Sequence, residues 1–489
     1  MNKQVSQVGV AALILIAALI LATTYWQTWA NAGLADRQDN AIRLVAQFSI
    51  KRGKIYAADG KTLLATNVVK KVAGQTLYFR RYPTGPIFSA AVGYSTQSRN
   101  QTGVERAYND FLTGSNANLD TVFNTTIDKL KGTTITGNNL ILTLRPRAQA
   151  IALRALRGKC GAVVAMNPTT GAVQVMASSP PYNPNLIEKH FNAALRAGGN
   201  CGALVNRATQ GHYQPGSTFK VVTAAAALDT GRFTPSSSFY DPGYCEEYGQ
   251  RVRNAGNPEA PETFGNVSLF TGLQHSINSV FCNIGKTIGA ATILDYAKRF
   301  GFYKAPPVGL PENELAPSGL YNKGRLFDPS NPATQVDPGR LAFGQERLQV
   351  TPLQMAMVAA TVAHNGLLMR PYLVQRIVGP GGKTVSRARA RKYARVMKPQ
   401  VAAEINSMMQ AVVTGGTGPA GAIPGVPVAG KTGTAETGRG NIYTAWFIAF
   451  APANHPQTAV AVVVENQPGG FGGKVAAPIA RQVMEALLR

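Results

Sequence analysis

Gln214-Pro215-Gly216-Ser217-Thr218-Phe219-Lys220, running into Val221–Leu228 (VVTAAAAL), is the stretch around which the rest of this chain falls into order. A proline and a glycine end the preceding segment and the alanine-rich run supplies good helix formers, so Ser217 is expected in the first turn of a helix. Residues three apart share a helix face. The Ser217 hydroxyl and the Lys220 amine can then meet, while amides at the helix start offer donors to a developing oxyanion. Alone, the spacing describes a solvated helix face more often than a reactive pair.

On either side of this helix the pattern changes in an ordered way. Residues 31 to about 150 hold short alternating segments such as Lys54–Ala57 and Leu140–Leu144, separated by Asp59-Gly60 and Gly137-Asn138-Asn139, which predicts a strand-rich domain. Ala148–Arg157 reads as helix. Gly161–Met166 and Ala172–Ala177, joined by Asn167-Pro168-Thr169-Thr170-Gly171, read as a hairpin. Helical patterns fill the middle, at Ser217–Leu228, Leu269–Ile288, Pro352–His364 and Lys398–Val413. Strand patterns return at Val428–Thr434, Thr444–Ala451 and Thr458–Glu465, before a closing amphipathic helix from about Pro478 to Leu488. The expected fold class is α/β, of the α+β type: a sheet of early and late strands flanked by helices inserted between them. Residues 241–266 and 305–340, rich in Pro, Gly and Asn, read as long loops of the kind that border a site.

Length and charge narrow the classes. A chain of 489 residues holds roughly two or three domains. With 49 Lys and Arg against 24 Asp and Glu, the net charge of +25 favours an anionic partner. No nucleic-acid partner is expected, because no zinc-ligand spacing, aromatic RNP-type motif or helix-turn-helix pattern accompanies the basic residues. The densest basic run, Arg387–Lys398, reads as a solvated face. No charged residue lies between Lys3 and Asp36, and Val8–Thr24 is nearly all apolar, with Tyr25, Trp26 and Trp29 at interface depth. A retained membrane anchor is expected, and Ala30-Asn31-Ala32 also fits the cleavage site of a removed signal peptide. Cys160, Cys201, Cys245 and Cys282 lie beyond that segment, where disulfides are permitted. Three pairings are open, and so are buried free thiols. The five histidines show no metal-ligand spacing, so no metal is expected.

Two further elements make Ser217 and Lys220 specific. Ser276-Ile277-Asn278 lies about sixty residues on, and Lys431-Thr432-Gly433-Thr434 lies in a strand pattern near the C-terminus. A serine hydroxyl needs a base, and Lys220 serves only when neutral, a state favoured by burial and by a nearby cation such as Lys431. Ser276 can relay a proton to an amine leaving group. Asn278 can hold a substrate amide and the lysine in register. Lys431, Thr432 and Thr434 suit a carboxylate, and Gly433 lets a substrate backbone lie close to the strand edge.

These motifs, in this order, resemble class B penicillin-binding proteins, the membrane-anchored monofunctional D,D-transpeptidases, and actinobacterial members most of all. The likeness extends over nearly the whole chain. Arg52-Gly53-Lys54-Ile55 with Asp59-Gly60 and Leu64-Ala65, and Gly103–Tyr108 with Leu112 and Gly114, resemble segments of the family's N-terminal domain. Ala165–Gly171, Gly344-Gln345, Thr351–Ala356, Gly416-Thr417-Gly418 and Ala445-Trp446-Phe447 resemble segments of its catalytic domain.

The resemblance implies a cytoplasmic tail at 1–7, a transmembrane anchor at 8–29, a pedestal or dimerisation-like domain at 30–150 and an extracytoplasmic transpeptidase domain at 151–489. It implies acyl transfer from a D-Ala-D-Ala stem peptide through Ser217, with the oxyanion held by the amides of Ser217 and Thr434. β-Lactams are expected to acylate the same serine, no cofactor is implied, and a SEDS-class glycosyltransferase is an implied membrane partner. Carboxypeptidase or β-lactamase hydrolysis and a noncatalytic scaffold are the alternatives. The chain departs from the pattern at Ile277, where a small residue is common, and in lacking acidic loops to balance its charge. A basic exterior of this kind could follow anionic wall polymers.

Overall fold

The computed structural model describes residues 2–25, 48–72, 74–96, 101–116, 122, 126, 134–196, 198–257, 260–438 and 440–489. Its first element is the helix Asn2–Thr24. Residues Gln7–Thr24 have a mean hydropathy of 2.3 and bury nothing against the rest of the chain, so this helix is long and apolar enough to cross a membrane. Trp26, Trp29 and the Ala30-Asn31-Ala32 segment lie outside the described residues.

The expected sheet of early and late strands is present as five antiparallel strands. Their order is Ala429–Glu436, Ile442–Ala451, Thr458–Pro468, Gly161–Met166, Val173–Ser179. Side chains alternate between its faces with the strand period of two. Ala459, Ala461 and Val463 join one core cluster, whereas Val460, Val462 and Val464 join the other. The second cluster is covered by helices Pro146–Ala155 and Gly472–Leu488, through small residues such as Ala148, Ala152, Ala476 and Ala480. The larger cluster holds Pro352–Ala363, all twelve of whose residues are buried, which is why that helix is apolar on every side. Each fully buried valine here contributes about 1.5–3 kcal/mol.

A second sheet has six strands, ordered Thr384–Arg387, Val374–Val378, Asn139–Leu142, Ile55–Tyr56, Leu63–Val72, Gln75–Arg81. Two of its strands therefore come from the far side of residue 150. A buried ion triad backs it: Arg52 Nη2 and Arg80 Nε meet the two Glu105 oxygens at 2.9 and 2.6 Å. Burial opposes ionisation of Glu105, but the Arg80 and Arg52 cations outweigh it and hold the carboxyl below its ordinary value.

The structure pairs the cysteines as Cys160–Cys201 and Cys245–Cys282. It also alters three expectations. The continuous helix expected over Leu269–Ile288 is broken into Leu269–Gln274 and Asn278–Arg299, with Ser276 left-handed at φ 61°. The closing helix starts at Gly472, not Pro478, so the proline sits inside it and leaves one carbonyl without its helical donor. The 241–266 region forms small antiparallel pairs, including Tyr244–Glu247 with Gln250–Arg253.

Candidate active site

Ser217 lies in a single 3-10 turn, Gly216–Phe219, and the α-helix begins at Lys220. The tighter turn arises from the sequence before it: Pro215 and Gly216, the latter at φ 50°, cannot continue a regular helix backwards. This turn is wedged against the edge strand Ala429–Glu436. A Cβ on Gly216 would come within 2.8 Å of the Thr434 carbonyl, and one on Gly433 within 2.8 Å of the Pro215 carbonyl and 2.9 Å of the Thr218 methyl. The serine's own turn therefore packs closely against Gly433. Behind it, Trp446 on the neighbouring strand is fully buried and donates from Nε1 to the Gln214 carbonyl at 3.0 Å. Gly216 N–H donates to Gly344 O at 3.2 Å.

Lys220 has no exposure to solvent. Its Nζ lies 2.6 Å from Ser276 O, 2.8 Å from Asn278 Oδ1 and 3.4 Å from Ser276 Oγ. Among the described residues no hydrogen bond joins it to Ser217 Oγ in this conformation, a link that commonly tightens only with substrate in place. A neutral amine has two N–H donors, which the two carbonyl oxygens occupy, and its lone pair is left to accept a hydroxyl proton. The left-handed turn at Ser276 is what presents that residue's carbonyl to Lys220.

Lys431 is also fully buried, and its Nζ lies 2.8 Å from Ser276 Oγ and 3.0 Å from Thr432 O. One hydroxyl thus stands between two lysines. Burial, and then the Lys431 cation, push Lys220 well below its ordinary value. Burial alone brings Lys431 down to about 7. The site favours loss of a proton from the pair, which is the condition for Lys220 to act as a base.

The residues expected to meet a carboxylate divide. Thr434 is half-buried at the edge, and its Oγ1 accepts from Gly472 N–H at 3.3 Å. The Thr432 hydroxyl is 2.6 Å from that of Thr417. Lys431 is enclosed by Ser276 and its own strand.

Two positioning residues were not singled out from the sequence. Asn254 Oδ1 accepts from the backbone N–H of Asn278 and Ser279 at 3.0 and 3.1 Å, and its Nδ2 donates to both Asp241 oxygens. Asp241 also accepts from Ser279 Oγ. Both are buried and both lie in the loop region expected to border a site. The Cys245–Cys282 disulfide ties the same loop to the Asn278–Arg299 helix.

A family model described as the penicillin binding protein transpeptidase domain matches residues 161–485, and one described as the penicillin binding protein A dimerisation domain matches residues 52–140. Among curated proteins, the peptidoglycan D,D-transpeptidase PbpA of Mycolicibacterium smegmatis is 35% identical, with 100% of this chain and 99% of that protein covered. The Mycobacterium tuberculosis PbpA is also 35% identical, with the same coverage. The solved structure of penicillin-binding protein A from M. tuberculosis as a ceftriaxone acyl-enzyme complex matches with a TM-score of 0.82 at 34% identity. That match covers 91% of this chain and 100% of the other. An imipenem acyl-enzyme of the same protein matches with a TM-score of 0.80 at 35% identity over the same shares.

Proposed function

The chain belongs to the penicillin-binding protein transpeptidase family, and from that premise we infer that Ser217 is the acyl carrier of a peptidoglycan D,D-transpeptidase. The observation that carries the assignment of roles is the convergence of two buried lysines on Ser276 Oγ, beside the turn that holds Ser217. Ser217 Oγ attacks the carbonyl between the last two D-alanines of a stem peptide, and neutral Lys220 takes its proton. The oxyanion forms against the backbone amides of Ser217 and Thr434. As the C–N bond breaks, the proton passes through Ser276 to the leaving nitrogen, and D-alanine departs. An amine of a neighbouring stem peptide then attacks the ester, its proton returns to Ser217 Oγ, and a new amide crosslinks the strands. Asn278 aligns the substrate amide, and Lys431, Thr432, Gly433 and Thr434 form the edge against which its carboxylate end lies. β-Lactams acylate Ser217 by the same route.

The Asn2–Thr24 helix supports a single-pass anchor with the catalytic part outside the cell, and two disulfides support an oxidising compartment for the domains that carry them. A SEDS-class glycosyltransferase as neighbour in the membrane belongs to the same reading. The test is mass spectrometry of the purified full chain with a D-Ala-D-Ala peptide and an amine acceptor. Acyl mass on the Ser217 peptide together with amide-linked product is expected, and neither in Ser217→Ala. Product formed by the Ser217→Ala protein would refute the assignment, and hydrolysis alone with acceptor present would make the enzyme a carboxypeptidase.

A further inference from the structure

Residues 366–398 contain nine Lys or Arg and no Asp or Glu. They fold as one antiparallel ribbon: Leu367–Met369 pairs with Lys392–Arg395, Arg370 N–H donates to Arg391 O at 2.8 Å, and Val374–Val378 pairs with Thr384–Arg387. The pairing brings basic residues face to face. Arg376 stands directly opposite Arg387, an arrangement of like charges that disfavours the ribbon when nothing lies between them. Arg370, Arg376, Arg387, Arg389 and Arg391 line one groove together with Tyr108, and none of the five has an acidic partner among the described residues. The groove runs along the last strands of the six-stranded sheet, on elements other than those that carry Ser217, Ser276 and Lys431.

We propose that this groove is a binding site for a linear polyanion whose repeating charged groups are phosphates. Guanidinium groups fork onto phosphate oxygens, and two arginines on opposite strands, roughly 5 Å apart at Cβ, can share one phosphate between them. The five are strung along about six residues of ribbon, roughly 20 Å at about 3.3 Å per residue, which suits a chain better than a single headgroup. A bilayer surface fits less well: the site is concave, and no large apolar side chain is exposed anywhere in 366–398. Such a site would hold the enzyme against a phosphate-bearing polymer while the transpeptidase site remains free.

Arg387, Arg389 and Arg391 are exposed, so they can be changed without opening the core. The experiment measures binding of fluorescent linear polyphosphate to the full chain in detergent, at low and at near-physiological salt. It compares the Arg387→Gln/Arg389→Gln/Arg391→Gln protein with a control of equal charge loss on another surface, Arg147→Gln/Arg154→Gln/Arg157→Gln. The groove variant is expected to lose at least tenfold in affinity and to show a shallower salt dependence, with the control within twofold of wild type. Penicillin acylation at the wild-type rate in all three proteins reports intact folding. Equal losses in groove variant and control would reduce the effect to net charge and overturn the site. Equal affinity for polyglutamate of the same length would overturn phosphate as the recognised group. Binding confined to phosphatidylglycerol vesicles would replace the polymer with a membrane surface.

Discussion

At the scale of single residues the proposed chemistry turns on Lys220 and Lys431, because each is buried and each is brought toward neutrality by that burial. The stability consequence has a definite sign. Lys431 titrates at about 7 in the folded chain and at about 10.4 when unfolded. Between those values the unfolded chain binds a proton that the folded chain does not, so this residue makes stability rise with pH across the window. Denaturant unfolding at pH 7 and pH 9.5 should show wild type gaining on Lys431→Met by up to about 3 kcal/mol over that interval. A difference that stays constant with pH would mean that Lys431 is charged throughout. Asn254 matters to the same pair: it holds the backbone N–H groups of Asn278 and Ser279, and through them the acceptor that occupies one Lys220 donor.

At the scale of elements, the proposed site depends on a turn and an edge strand that meet at two glycines, Gly216 and Gly433. Gly433→Ala should force the Ser217 turn away from the strand by a few tenths of an ångström, since Pro215 O and Thr218 Cγ2 already lie within 2.9 Å of the position of its Cβ. Overpacking of this kind costs about 1–3 kcal/mol. The rate of acylation by a fluorescent penicillin is expected to fall at least tenfold, and wild-type acylation would show that the turn is not what the glycine serves. Much of this assembly could be read from the chain. The late strands were legible because Thr444–Ala451 and Thr458–Glu465 are apolar on both faces, as buried central strands must be. The break at Ser276 was not legible. Leu269–Ile288 keeps an apolar helical spacing through Leu269, Leu273, Ile277, Phe281, Ile284 and Ile288, and the left-handed residue is held by tertiary contacts, above all the Lys220 bond to its carbonyl. Asp241 and Asn254 escaped notice for a related reason: they are polar residues in a loop, and only the fold shows that they are buried.

At the scale of the whole molecule, the integrity of the six-stranded sheet rests on charge as well as on apolar packing. Glu105 serves two arginines, so Glu105→Gln leaves Arg52 and Arg80 buried without a counterion. Loss of about 3–5 kcal/mol is expected in denaturant unfolding, and a change below about 1 kcal/mol would show that water reaches the triad. The disulfides act at the same scale, since each closes a long loop, with separations of 41 and 37 residues, and removes roughly 4 kcal/mol worth of unfolded-chain freedom. The strand order of that sheet also bears on how the protein is made. Asn139–Leu142 is flanked by Ile55–Tyr56 on one side and by Val374–Val378 on the other. Its second edge therefore stays open until residue 378 has been synthesised, by which time the serine helix and the loop that positions Asn278 are already in hand. The sheet built on the N-terminal strands is first in sequence and among the last parts to be completed, and in that interval its unpaired edge is open to pairing with other strands.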